Sequence, residues 1–513
     1  MALAQVQSST TVGLDAQVVT VEVDLSNGLP GFSIVGLPDK AVEEARERVR
    51  SAIKNSLASF PTKKIIVNLA PADIRKAGPA YDLPIAVGVL LASEQIYAPP
   101  TSLILGELAL DGTVRAISGA ILATSLAKRQ DIKTVFVPKD NAVEAAVVED
   151  VEVIPVATLT ELIAHLRHEV AIPAQPPTQI NLQAHAYPDA YDMRHIAGQE
   201  SAKRALEIAA AGRHNILMSG PPGSGKTMLA KALISILPPL TTSEMLETTK
   251  IYSIAGLLTS DTPLLLTRPF RSPHHTSSAV AITGGGNWPK PGEISLSHKG
   301  VLFLDELPEF PRQVLEVLRQ PIEDRVINIS RANTSVQFPA NFMLVSAKNP
   351  CPCGYLGDPQ KNCVCTAGQI QAYNKKVSGP LLDRIDLHIE VPRLSYDKLT
   401  HEVAGEPSNS IRERVGHSQA IQKERFAGTR ITNNAEMTTA ELKTFCQLDE
   451  EGHNLLRAAV DKMNLSGRAY TRTLKVARTI ADLDNSPQIL PHHLAEALSY
   501  RLQSEPSAQE SIY

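Results

Sequence analysis

The sequence predicts an α/β protein whose parallel sheet carries a glycine-rich phosphate loop, with an α+β segment before it and a helical segment after it. Three observations lead there. The stretch His214 to Ser219 runs into Gly220-Pro221-Pro222-Gly223-Ser224-Gly225-Lys226-Thr227 and then into the helix-forming Met228 to Ile236. A fully apolar strand, Gly300 to Leu304, ends in Asp305-Glu306, and another, Phe342 to Ala347, follows it. Short buried strands alternating with helices are the pattern of a parallel sheet covered on both faces.

The elements follow in order. In residues 1–167, Val18 to Leu25 alternates apolar and polar and reads as a strand. Asp39 to Ser56 sets Val42, Ala45, Val49 and Ile53 on one helical face. Lys64 to Leu69 is a strand, Leu83 to Leu91 an apolar helix, and Thr134 to Val137 a further strand. Residues 168–190 hold Pro173, Pro176, Pro177 and Pro188 without periodicity, as an exposed, semi-rigid linker does. Residues 191–395 open with a helix, Ser201 to Ala211, and contain the three strands above. Residues 396–505 are nearly all helical, clearest at Ser410 to Phe426 and Thr471 to Leu483, with Pro491 opening a terminal helix from His492 to Gln503. A polar tail, 506–513, closes the chain, and no internal repeat is present.

Composition narrows the function. The 513 residues suggest three or four domains, and 43% hydrophobic content supplies sizeable cores. Charged residues at 20% argue against a disordered chain. Aromatics at 4%, with one tryptophan, Trp288, disfavour an RNA-binding sheet with stacked rings. Lys and Arg number 50 against 54 Asp and Glu, a net charge of −4, so any hold on nucleic acid must come from local basic loops. No run of 18 apolar residues and no positive-then-apolar start occurs, which reads as a cytoplasmic protein without a membrane segment. Of five cysteines, four fall within 351–365, which suggests a metal site rather than a disulfide framework.

The loop at 220–227 fits G-x-x-x-x-G-K-[ST] in its proper strand–loop–helix context. Its residues Gly220, Pro221, Pro222, Gly223, Ser224 and Gly225 would turn backbone N–H groups around phosphate oxygens at a helix N-terminus. Lys226 would reach the β- and γ-phosphates of ATP and Thr227 would ligate Mg²⁺. Asp305, at the C-terminal end of a buried strand, would hold the same Mg²⁺, and Glu306 would orient or activate the attacking water. Lys226 and Asp305 are separated by 78 residues, whereas a bare strand–helix–strand unit needs about 30, so a segment is inserted, at about 251–299. The stretch holds Arg268, Arg271, His274, His275, Gly284 to Gly286, Trp288 and Lys290, the mixture of a polynucleotide-gripping pore loop or of a solvated loop without function. Cys351, Cys353, Cys363 and Cys365 form C-x-C, nine residues, C-x-C. Structural Zn²⁺, an iron–sulfur centre and unliganded thiols all suit that set, with zinc leading.

Taken together, these residues resemble an AAA+ ATPase of the magnesium-chelatase-like ComM/YifB family. The markers are GPPGSGKT at 220–227, GVLFLDELPEF at 300–310, NPCPCGY at 349–355, SGPLLDRIDLHIEV at 378–391 and RAYTRTLKVARTIADL at 468–483. The resemblance implies a homo-oligomeric ring, a hexamer, with ATP at subunit interfaces and 396–505 as the helical lid. It implies that Asn349 is the sensor-1 residue, although Lys348 before it stands where an apolar residue is expected. Arg384 matches the arginine finger that enters the neighbour's site, the alternative being an ion pair with Asp383 or Asp386. Arg468 matches the sensor-2 arginine, with Arg472 as a weaker substitute. Arg325 to Phe338 resembles a pore-lining hairpin, with Arg331 and Asn333 joining Arg271 and Lys290 as candidate DNA contacts, or else a purely structural hairpin.

Ala77 to Pro84 and Leu110 to Gly119 are similar to the active-site region of Lon-type proteolytic domains, an α+β fold of the ribosomal protein S5 domain 2 type. The pattern places serine where Ala80 stands and lysine where Ile121 stands, and neither present side chain can attack a carbonyl or take a proton. Ser118 and Lys128 are near but off the motif. The implied function is an ATP-driven DNA translocase that promotes branch migration in homologous recombination, as in integration of transforming DNA. The alternatives are the motor subunit of a metal chelatase and a protein-remodelling chaperone.

Overall fold

The computed structural model describes residues 2–73, 76, 78–181, 187–286, 289–331, 334–394, 405–463 and 465–501. Trp288, Asn333, the side chain of Arg331 and the tail 506–513 lie outside the described residues. The chain divides into two compact units: residues 1–181 with 242–266 and 332–336, and the remainder.

The first unit is built on a seven-stranded mixed sheet. Its strands are β1 (Ala2–Val12), β2 (Asp15–Ser26), β3 (Gly31–Val35), β4 (Lys64–Ala70), β5 (Ser102–Ile104), β8 (Thr134–Pro138) and β9 (Glu152–Val156), in the order β3-β4-β2-β1-β5-β8-β9. The two-residue strands β6 (Glu107–Leu108) and β7 (Val114–Arg115) pair apart from it. The β1–β2 and β2–β4 pairs are antiparallel, and the remaining neighbours are parallel. The alternation along β2 buries Val19, Val21 and Val23 completely, so the period of two seen in the sequence is a core-facing strand. The helix Lys40–Asn55 is capped by Asp39, whose carboxylate accepts from Val42 N–H at 2.9 Å, and buries Val42, Ala45, Val49, Ala52 and Ile53. The helix Asp82–Ala92 is buried nearly all round. It approaches the sheet so closely that a Cβ on Gly88 would stand 2.6 Å from a methyl of Val23.

Two assignments from sequence change here. The linker is not free: Gln175 N–H donates to Val153 O at 2.8 Å and Thr178 N–H to Ala146 O at 3.0 Å, pinning the proline-rich segment to the first unit as far as residue 181. The segment 242–266, part of the predicted ATPase core and its insertion, joins the first unit. Its helix Thr242–Ala255 buries Met245, Ile251 and Ser253 there. The Ser253 hydroxyl contacts the buried Glu144 carboxylate and accepts Gly119 N–H at 2.9 Å.

The second unit holds a five-stranded, wholly parallel sheet. Its strands are β10 (Ile216–Ser219), β11 (Phe270–Arg271), β14 (Val301–Leu304), β17 (Met343–Lys348) and β18 (Leu387–Glu390), in the order β11-β14-β17-β10-β18. The hairpins β12 (Gly284–Gly285) with β13 (Lys290–Pro291), and β15 (Val326–Arg331) with β16 (Thr334–Pro339), stand outside it. Every residue of β14 is buried, as a parallel strand covered on both faces requires. Helices at Ser408–Arg425, Thr439–Phe445, Glu450–Met463, Gly467–Leu483 and Pro491–Ser499 share one apolar core with this sheet. The last helix runs Pro491–Ser499, after which the Tyr500 carbonyl accepts His388 N–H at 2.8 Å; Gln503, its expected end, lies outside the described residues. No helix among the described residues is long and apolar enough to cross a membrane.

Candidate functional site

β10 delivers the glycine-rich loop and the helix Lys226–Ile236 leaves it. Gly223 and Gly225 have φ of +77° and +92°, a left-handed backbone that only glycine adopts freely, so the motif's glycines are conformational requirements. Gly220 is a packing requirement as well, since a Cβ there would stand 2.1 Å from Val391 O. Lys226 Nζ donates to Gly220 O at 2.7 Å, Pro221 O at 2.9 Å and Asn349 Oδ1 at 3.3 Å. Burial lowers its pKa from the ordinary lysine value, opposed by Asp305 and Glu306. Thr227 Oγ1 donates to Asp305 Oδ2 at 2.8 Å. The structure thus gathers Lys226, Thr227, Asp305 and Asn349 from the ends of two parallel strands, β14 and β17, and one helix N-terminus. A hydroxyl and a carboxylate oxygen side by side are the hard donor set a Mg²⁺ site uses, so the residues fit that ion. Glu306, at φ +52°, breaks away from the strand and turns toward His275, whose Nδ1 is 3.3 Å from Glu306 Oε2.

Arg384 is not paired with Asp383 or Asp386. Its side chain is 7% exposed, and Nη2 lies 2.8 Å from Glu323 Oε1, while Nη1 donates to Pro380 O at 2.7 Å. Arg468, 54% exposed, reaches the same carboxylate oxygen at 3.8 Å. The two arginines therefore converge on Glu323. Arg472 pairs instead with the buried Asp386, which His214 and Asn215 N–H also contact. Despite burial, which acts the other way, Arg472 and His214 hold Asp386 below the usual carboxylate range.

Cys351, Cys353, Cys363 and Cys365 converge as the spacing suggested. Sulfur–sulfur distances are 3.4 Å for 351–353 and 3.6 Å for both 351–363 and 353–363, and all four sulfurs lie within 4.8 Å of one another. Tetrahedral Zn–S bonds of about 2.3 Å put sulfurs about 3.8 Å apart, so the set fits zinc. Backbone N–H groups of Tyr355 and Val364 aimed at Cys353 pull its thiol down to about 6, while, against the Cys365 backbone N–H, burial and the neighbouring sulfurs push the Cys363 thiol up to about 12. Sequence did not reveal that this loop abuts the phosphate loop: a Cβ on Gly354 (φ +85°) would stand 2.6 Å from Pro222 Cδ.

The insertion is more tightly held than its composition suggested. Arg268 is buried and donates to Pro238 O, Pro239 O and Lys299 O, a structural role. Arg271 forms a bidentate pair with Glu293 at 2.6 and 2.7 Å, bracing the loop base rather than presenting a charge. Lys290 is exposed on β13. In the first unit Ile121 is fully buried and its N–H donates to Glu144, and Lys128 pairs with Asp150 at 3.0 Å.

Residues 192–399 match the family model described as magnesium chelatase, subunit ChlI, residues 21–141 that of subunit ChlI of Mg-chelatase, and residues 405–501 that of the ChlI C-terminal part. Competence protein ComM of Haemophilus influenzae is 46% identical over 508 residues, 98% of each chain. The protein YifB of Salmonella typhimurium is 44% identical over 98% of this chain and 97% of its own. The magnesium-chelatase 38 kDa subunit of Chlorobaculum parvum is 22% identical over 62% of this chain and 92% of its own. With full-length identity at this level and all three family models in chain order, the chain belongs to the ComM/YifB family of magnesium-chelatase-like AAA+ proteins.

Proposed function

We propose that the protein is an ATP-dependent DNA translocase, working as a hexameric ring, that promotes branch migration during homologous recombination. The observation that carries the reading is the convergence of Lys226, Thr227, Asp305 and Asn349 at the C-terminal ends of parallel strands. Family membership implies an ATPase that uses ATP and Mg²⁺. Bound Mg²⁺ would supply charge neutralisation on the phosphates. The Lys226 ammonium would exchange its loop carbonyls for phosphate oxygens, and the loop N–H groups would hold the β-phosphate. Glu306 would take a proton from the attacking water, with Asn349 fixing the water's position. Arg384, released from Glu323, would reach a neighbour's γ-phosphate with Arg468 beside it. The name of the Haemophilus relative, competence protein, supports integration of transforming DNA as the setting. The four cysteines would hold structural zinc.

The test is the steady-state ATPase rate of the full chain with Mg²⁺, alone and with forked or single-stranded DNA, beside a strand-exchange assay on a four-way junction. DNA stimulation and junction movement are expected. Turnover indifferent to every DNA, with response to a protein partner, would favour the chelatase-motor or remodelling readings.

A further inference from the structure

We propose that Cys353 and Cys363 form a modification site for small peroxides, and that their oxidation to a disulfide loosens the phosphate loop and lowers affinity for ATP. The inference rests on reading the Lys226 loop as an ATP site and the four cysteines as a zinc set. It does not depend on DNA.

The cysteine loop meets the nucleotide site at two places. It begins two residues after Asn349, whose Oδ1 accepts from Lys226 Nζ at 3.3 Å. It then turns at Gly354, whose N–H donates to Cys351 O at 3.0 Å and whose Cα packs against Pro222 with no room for a Cβ. The apolar side chains of this loop build no core of their own, since Leu356 and Val364 stand 43% and 82% exposed. The sulfurs give the turn its shape instead. Cys353 N–H donates to Cys365 Sγ at 3.3 Å and joins the first C-x-C to the second. Whatever rearranges the sulfurs therefore moves the turn that presses on Pro222.

The sulfurs differ in access. Cys351 is fully buried, whereas Cys353 and Cys363 are half-buried with their sulfurs 3.6 Å apart. A disulfide bond is about 2.05 Å long, so closing it draws the pair together by about 1.5 Å. A thiolate that serves as a metal ligand is also a nucleophile. The Cys353 sulfur attacks one oxygen of hydrogen peroxide, the O–O bond breaks, and a sulfenic acid forms while hydroxide leaves and takes up a proton. The Cys363 sulfur then attacks the sulfenic sulfur, the S–S bond forms, the S–O bond breaks, and a second hydroxide leaves and is protonated. Two thiolates lose two electrons in all, and one peroxide becomes two waters. Two sulfurs then remain where a tetrahedral ion takes four, and Cys353 carries the adjoining Gly354 away from Pro222.

The test uses the full chain loaded with zinc, without DNA, before and after hydrogen peroxide. Nucleotide affinity is read by fluorescence anisotropy of methylanthraniloyl-ATP, and released zinc by a colorimetric chelator. Peroxide is expected to release the metal and to raise the Kd at least about fivefold, the lower end of coupling between two sites. Dithiothreitol with added Zn²⁺ should restore both. Met228, 46% exposed beside Thr227, is a second target of peroxide, but its sulfoxide survives a thiol reductant, so reversal separates the two. Trypsin cuts after Lys348, Lys361 and Lys375, so the expected bond joins peptide 349–361 to peptide 362–375, and fragment spectra name its two sulfurs. A Kd unchanged in the disulfide form, a bond at any other pair, or a loss of affinity that dithiothreitol leaves in place overturns the proposal. A reduced, zinc-loaded chain that binds no nucleotide overturns the ATP-site reading and the proposal with it, whereas a chain that binds nucleotide but ignores DNA overturns only the translocase reading.

Discussion

Lys226 shows how much a single ammonium does in this loop. It is buried, ties the ends of the loop together through Gly220 O and Pro221 O, and meets the Asn349 side chain. Lys226→Ala is expected to abolish ATP turnover, measured as phosphate release; normal turnover would remove the assigned site. Asp386 is the structural counterpart. Its folded-state pKa is depressed, so it contributes stability above its unfolded value of about 3.9 that is lost as pH falls. Arg472→Leu leaves that buried carboxylate short of its main partner, although His214 and Lys475 remain near. A loss of about 3–5 kcal/mol is expected at pH 7. The variant's folded pKa for Asp386 rises, so its deficit must shrink as pH is lowered; thermal melts at several pH values check the sign. A deficit that grows in acid would contradict the pairing. Arg472 in the sequence offered no sign of this work, because its partner lies in another element and only folding joins them.

At the scale of elements, the phosphate loop and its two flanking strands were legible because their determinants are local: glycines at fixed offsets, apolar runs and acids at a strand end. The same holds for the helix Lys40–Asn55, whose predicted face is the buried one. What was not legible is pairwise. Glu323 with Arg384, His275 with Glu306, and Gly354 with Pro222 are contacts between separate segments that no periodicity encodes. The last has a measurable consequence. Gly354→Ala places a Cβ at φ +85° against Pro222, so the cysteine loop must press on the phosphate loop. ATP affinity is expected to fall several-fold while metal content stays at about one zinc per chain, read by nucleotide titration and metal analysis. Cys351→Ser should instead lose the metal and lower the melting temperature. Unchanged metal content in that variant would remove the zinc assignment.

At the scale of the whole molecule, the chain carries a phosphate loop and an arginine pair that do not meet each other. Lys226 and Thr227 face Asp305 and Asn349, whereas Arg384 and Arg468 face Glu323. The proposed ring of identical copies would use both, because a heterologous interface sets one face of each subunit against the other face of its neighbour. Arg384→Ala should therefore leave ATP binding intact and lower turnover by about 10³ or more, the range an arginine finger supplies elsewhere. The sharper test mixes two dead proteins. Lys226→Ala keeps its arginines and Arg384→Ala keeps its loop, so random assembly gives about a quarter of interfaces with both parts intact. Turnover should reappear on mixing and follow the product of the two mole fractions. If each chain completes its own site, the mixture stays silent, and Arg384 must then be assigned to the fold of its own subunit through Glu323 rather than to the neighbour's phosphate.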